Sequence, residues 1–125
     1  MLYSYTDTIL RGWPKAEWTM TNNDLSQLNW ISVDIPKPSI EEIIAKQQEL
    51  QTNEAMRLLR IERLKRLQKT DVYMLADFPI STEQKTAWLQ YRQALRDLPD
   101  KSSPILNADG TLDMNSVNWP VEPIN

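Results

Sequence analysis

The chain contains no cysteine and no histidine, and among its 125 residues there are only two glycines and one phenylalanine. Without cysteine there is no disulfide framework. Without either residue there is no thiolate or imidazole metal site, no Ser-His-Asp triad, no Cys nucleophile and no His general base. Two glycines cannot build a glycine-rich phosphate loop, and neither G-x-x-x-x-G-K-S/T nor G-x-G-x-x-G occurs. No apolar run approaches the roughly 20 residues that a membrane-spanning helix needs. The opening MLYSYTDTILRGWPKAEW lacks a charged segment followed by an apolar one, so a chain without a secretory leader, soluble and made in the cytosol, is expected. What is present is ordinary for a soluble domain: 41% hydrophobic and 25% charged residues, with 14 basic against 17 acidic side chains and a net charge of −3. Prolines number eight and tryptophans five. The length allows one domain, or one small domain with tails.

Residues 1–38 hold Trp13, Trp18 and Trp30 but no long helical period. In AEWTMT, Ala16, Trp18 and Met20 alternate with Glu17 and Thr19. In SQLNWISV, Leu28 and Trp30 alternate with Asn29 and, less cleanly, Ile31. Thr21-Asn22-Asn23-Asp24 lies between them with turn chemistry, so an N-terminal β-hairpin with one apolar face is expected. A short helix over Asp7–Arg11 precedes it. Pro36-Lys37-Pro38 ends the strand, since proline cannot donate to a ladder. The three tryptophans could form a carbohydrate or peptide platform, but a small β-unit with few other large side chains more often uses them as core.

Ser39 and Glu42 have capping-box spacing, and residues 40–69 contain neither Gly nor Pro, which predicts a long helix. At 100° per residue Ile40, Ile43, Ile44, Leu50, Leu58 and Ile61 share one stripe, interrupted by Gln47 and Glu54. A second apolar set, Met56, Leu59 and Leu67, projects almost opposite, with Leu64 at its flank. Residues 40–54 carry four Glu and one Lys, net −3; residues 55–69 carry six Lys/Arg and one Glu, net +5. That order complements the helix macrodipole. Thr70-Asp71 and Asp77-Phe78-Pro79 mark a connection. Ser81 and Gln84 cap a second helix to about Asp97, which folds back antiparallel with Ala87, Trp88, Tyr91, Ala94, Leu95 and Leu98 on one stripe. Residues 99–125, with four prolines from Pro99 onward, form an extended Pro-rich C-terminal tail with a tight turn at Asp109-Gly110. Asn107–Asp113 loosely matches a calcium loop but lacks the closing Glu and the full ligand count, which favours a plain turn.

The expected fold is therefore mainly α with a small β part. Its segments are an N-terminal β-hairpin module at 1–38, a two-helix module at 39–98 and an extended tail at 99–125. A helix that is apolar on two faces offers more than one partner helix can cover, so an oligomer or part of a larger assembly is expected. Trp119, in Val117-Asn118-Trp119-Pro120, is either an anchor on a partner or a cover for the hairpin. Arg92 and Arg96 lie off the second helix's apolar stripe and could pair with Asp71, Asp77 or a partner's carboxylate. Asp71 and Asp77 as a glycosidase pair is a weaker reading than hydrogen-bonded loop carboxylates, because no other catalytic group accompanies them. No catalytic residue, metal or cofactor is assigned.

The stretch Arg60–Pro99 resembles the bacteriophage tail assembly chaperone family. The residues that carry the likeness are an Arg-rich helix, Thr70-Asp71, Asp77-Phe78-Pro79 with Ser81, and then Trp88, Tyr91, Arg92, Gln93, Leu95, Arg96, Asp97 and Pro99. The ending VNWPVEP is similar to the W-P-x-x-P endings of such chains. Residues 13–43 look like an N-terminal module seen on phage proteins of this kind. One departure is Val72, where the family usually has Trp. The resemblance implies a non-enzymatic protein that binds phage tail, baseplate or tail-fibre subunits, as a transient chaperone in the host cytoplasm or as an adaptor retained in the virion. Partner contacts are then expected at Met56, Leu59, Arg63, Leu67, Arg92, Arg96 and Trp119. The alternative is a small nucleic-acid-binding regulator using Arg57, Arg60, Arg63, Lys65, Arg66 and Lys69.

Overall fold

The structure, a computed structural model, describes residues 3–124; Met1, Leu2 and Asn125, which belong to the expected terminal segments, lie outside the described residues. The element order is α1 (Tyr5–Gly12), β1 (Trp18–Thr19), β2 (Asn29–Trp30), α2 (Ile40–Lys69) and α3 (Thr82–Asp97). The fold is mainly α with a small antiparallel sheet, as expected. Contacts divide the chain into two compact units. The first runs to Glu54 and takes in Ala108–Gly110; the second comprises Ala55–Asn107 and the residues from Thr111 onward. The division falls inside α2.

In the first unit, Ser4 caps α1 by accepting from the Asp7 backbone N–H at 3.0 Å. With this cap α1 runs Tyr5–Gly12, longer than the expected Asp7–Arg11. The hairpin is present, with Trp18 opposite Trp30 and Thr19 opposite Asn29. Its strands are only two residues long. They stop there because Asn22 and Asn23 both adopt positive φ (56° and 55°) and Leu25–Gln27 winds into a 3-10 turn. Asp24 caps that turn, and the Asn23 side chain accepts the Tyr5 N–H at 2.7 Å. The alternation holds: Trp18, Met20 and Trp30 pack with Tyr5, Trp13 and Leu25 around buried Ile9, Leu28 and Ile43. Trp30 Nε1 donates to Ile35 O at 2.7 Å. The three N-terminal tryptophans are thus core side chains of this unit.

Helix α2 begins at the expected capping box. Ser39 Oγ accepts the Glu42 N–H at 3.1 Å, and Glu42 returns a longer contact to the Ser39 N–H at 3.4 Å. In the first unit its buried positions are Ile43 and Gln47. Gln47, read as a polar interruption of the stripe, is accommodated because its Nε2 donates to Tyr3 O. Ile40, assigned to the same stripe, is half exposed.

In the second unit, α2 and α3 pack antiparallel. Leu98 shares a buried cluster with Ala55 and Leu59, Arg63 reaches Arg96, and Leu67 and Thr70 meet Arg92. The Ser81–Gln84 capping box closes at 3.0 and 3.1 Å. The C-terminal segment is not merely extended. Leu106 and Leu112 form an antiparallel bridge, and Gly110 at φ 89° turns the chain. The Asn107 N–H donates to Thr111 O at 2.7 Å and the Asp113 N–H to Ile105 O at 2.9 Å. This backbone-bonded turn replaces the extended course that four prolines suggested, because it lets Leu112 and Val117 bury against the helices.

Candidate functional site: the α2–α3 lock and its exposed helix face

The densest polar constellation in the second unit centres on Arg92. Its guanidinium Nη1 donates to Leu67 O at 2.8 Å and to Thr70 Oγ1 at 2.7 Å, and lies 2.8 Å from Asp71 Oδ1. Thr70 is buried, and its hydroxyl in turn donates to Leu67 O at 2.9 Å. Lys69 ends α2, where four carbonyls have no helical donor. A planar cation with several donors satisfies one of them and holds the turn that follows. The Tyr73 N–H then bonds Thr70 O at 3.1 Å. Its ring stacks on Trp88 with centroids 4.4 Å apart, and Trp88 meets Tyr91 edge-on at 5.6 Å. Arg92 is 9% exposed. It pairs with Asp71, one of the options open from the sequence, and faces inward. Asp71 is thus the ion-pair partner of Arg92 just beyond the end of α2.

The C-terminal tail forms a second fastening. Trp119 packs against both buried clusters of this unit, one built on Ala55, Leu59, Leu98, Leu112 and Val117, the other on Trp88, Tyr91 and Leu95. The Arg66 guanidinium sits 4.3 Å from the Trp119 ring centroid while Arg66 Nε donates to Glu62 at 3.1 Å. Lys69 reaches Glu122 at 3.5 Å. Trp119 therefore covers its own chain's helix pair, which is neither of the two roles weighed from the sequence.

This arrangement covers the second apolar face of α2 with side chains of the same unit. Leu59 is fully buried, and Met56 and Leu67 are partly buried against the same clusters. The second apolar face is sealed by α3 and by residues 106–119, because the tail supplies Leu106, Leu112, Val117 and Trp119 at the point where one partner helix falls short. Arg63 is half-buried, with Nη1 donating to Arg96 O at 3.2 Å. Arg96 contributes that carbonyl and leaves its side chain exposed. Among the seven residues expected at a partner surface, only Arg96 is therefore exposed.

The uncovered apolar side chains lie elsewhere. Ile61 is 42% and Leu64 53% exposed on α2, and Val72, Leu75 and Leu89 are also exposed. Ile61 was counted in a stripe expected to be buried. Its periodicity was visible in the sequence; that the covering elements lie on the other face was not. Of the six basic residues proposed for nucleic acid, Arg63, Arg66 and Lys69 make contacts within the chain; Arg57, Arg60, Lys65 and Lys69 are exposed at the surface.

Residues 56–124 match the phage tail assembly chaperone protein family. No curated protein and no solved structure matches the chain. The matched stretch begins at residue 56, so the module-like segment 13–43 lies outside it. Within it fall the Arg92 lock, the stacked aromatics and the Trp119 fastening, the features that make the second unit a self-sealed body. Since the match covers more than half of the chain and coincides with that body, the chain belongs to the phage tail assembly chaperone family.

Proposed function

We propose that this chain binds bacteriophage tail or tail-fibre subunits as a non-enzymatic assembly factor. The observation that carries this reading is the family match across residues 56–124. It is supported by a unit whose interior is filled by its own side chains yet which keeps Ile61, Leu64, Val72, Leu75 and Leu89 in solvent. Exposed apolar residues on a body with a filled interior suit association with another protein. The nucleic-acid reading has less support, because Arg63, Arg66 and Lys69 of its basic set serve internal contacts. No helix among the described residues is long and apolar enough to cross a membrane.

Two measurements test the reading. Deleting the gene from a phage that encodes it lowers the yield of tailed particles; normal tail assembly without it would refute the proposal. Quantifying the chain in purified particles then separates its two forms. A fixed ratio to tail, baseplate or fibre subunits marks a retained adaptor, and its absence from finished particles marks a transient chaperone in the host cytoplasm.

A further inference from the structure

We infer that the exposed face of α2 between Arg57 and Lys69 is a docking strip for an acidic amphipathic helix of a protein subunit. The inference rests on the tail-subunit reading and names the surface and chemistry by which such a subunit is held. Ile61 and Leu64 are three residues apart, so their side chains are neighbours on the helix surface. At 100° per residue the angular order across this face is Arg60, Leu64, Ile61, Lys65, a strip about 140° wide. Its centre is apolar and both rims are basic. Arg57 and Gln68, also exposed, close its two ends along the axis. The one carboxylate of this half-helix, Glu62, projects off the strip and is held by Arg66 at 3.1 Å. Within residues 55–69 no acid of α2 therefore faces the strip, and these residues carry six cations against that one Glu; Glu54 lies on the same face one turn before Arg57, beyond the end of the strip.

The complement of this surface is a helix with an apolar seam and carboxylates on its flanks. Seam residues exclude water over Ile61 and Leu64 while rim charges set partner choice and orientation, as in paired helices generally. A strip of about three turns, close to 18 Å long, matches a short amphipathic segment. Nucleic acid would use the rims but has no use for two half-exposed aliphatic side chains between them. A second copy of this chain carries a net negative charge overall, but its acidic half-helix, residues 40–54, turns Ile43 and Gln47 inward and so offers no matching seam.

The test is site-specific photocrosslinking of the full chain co-expressed with phage tail subunits, from position 64 on the strip and position 90 on the exposed side of α3. Expected from position 64 is a crosslink to a tail subunit, mapped by mass spectrometry to a segment with net negative charge and helical apolar spacing. The double change Arg60→Glu with Lys65→Glu, both at exposed positions, leaves the circular dichroism spectrum intact and lowers that crosslink by about tenfold or more, since like charges then face each other at the rim. A position 64 crosslink to nucleic acid, to a second copy of this chain or to a basic segment overturns the inference. Crosslinks to a tail subunit from position 90 but not from 64 also overturn it while leaving the tail-subunit reading standing. Absence of a tail-subunit crosslink from both positions, together with normal tails in the deletion phage, removes both.

Discussion

Arg92 shows how little of its environment its position on the helix discloses. One guanidinium nitrogen serves a helix-end carbonyl, a buried hydroxyl and a carboxylate. Arg92→Ala leaves Thr70 and Leu67 O without that donor, and a stability loss of about 2–3 kcal/mol is expected in urea unfolding. Asp71 is 60% exposed on its side chain, so its own contribution through the ion pair is small. Tyr91 and Trp119 carry polar atoms that do no bonding. Tyr91 Oη and Trp119 Nε1 are buried and meet no hydrogen-bond partner among the described residues. Tyr91→Phe should therefore be neutral within about 0.5 kcal/mol or slightly stabilising, because it removes a desolvated hydroxyl and no bond. Trp119→Phe should cost about 1 kcal/mol, and Trp119→Ala about 3 kcal/mol, because ring volume and the Arg66 contact matter and the indole N–H does not. Equal losses for the Phe and Ala variants at residue 119 would show that the N–H has a role.

The helices owe their limits to caps that are local in sequence and their buried faces to partners that are not. Ser81 and Gln84 satisfy two of the first N–H groups of α3 reciprocally. Ser81→Ala is expected to cost about 1 kcal/mol, measured by thermal melting. The same change at Ser39 should cost less, because the return bond from Glu42 is longer at 3.4 Å. Helix α2 is different in kind. It runs for 30 residues, yet the side it buries at Ile43 and Gln47 is not the side it buries at Ala55 and Leu59. Two apolar sets on nearly opposite faces read from the sequence as surplus hydrophobic surface awaiting another chain. In the structure the set at Met56, Leu59 and Leu67 is covered by α3 and the C-terminal segment, whereas Ile61 of the other set and Leu64, at the flank of the covered one, are left in water.

Across the molecule, the absence of histidine removes the side chain that ordinarily titrates between pH 5 and 8. Stability is therefore expected to vary little between about pH 5.5 and 7, as a series of urea melts would show. The acid limb has one identifiable local contributor. The Ser26 hydroxyl and backbone N–H donate to Asp24 at 2.7 and 2.9 Å and hold its carboxyl below its ordinary value of 3.8. A carboxylate whose folded pKa is depressed adds stability above its unfolded value, and that stability is lost as pH falls through the folded one. Loosening of the Leu25–Gln27 turn should thus begin below pH 3.8, and in Asp24→Asn that acid-dependent step should be absent from nuclear magnetic resonance shifts of Ser26.

Much of the architecture was legible in short-range chemistry. Alternating tryptophans marked the hairpin, S-x-x-E and S-x-x-Q spacings marked the helix starts, and Asp109-Gly110 marked a turn; each depends on groups only a few residues apart. The family likeness was legible for the same reason, since its motif residues lie in one continuous stretch. Folding alone determined which apolar face of α2 would be covered. That choice depends on where Leu112, Val117 and Trp119 return, some fifty residues later in the chain, and burial is a property of surfaces brought together in space and not of periodicity along one helix. It buried Leu59 and Arg92, laid Trp119 over the helix pair, and left the basic, half-apolar strip around Ile61 and Leu64 facing solvent.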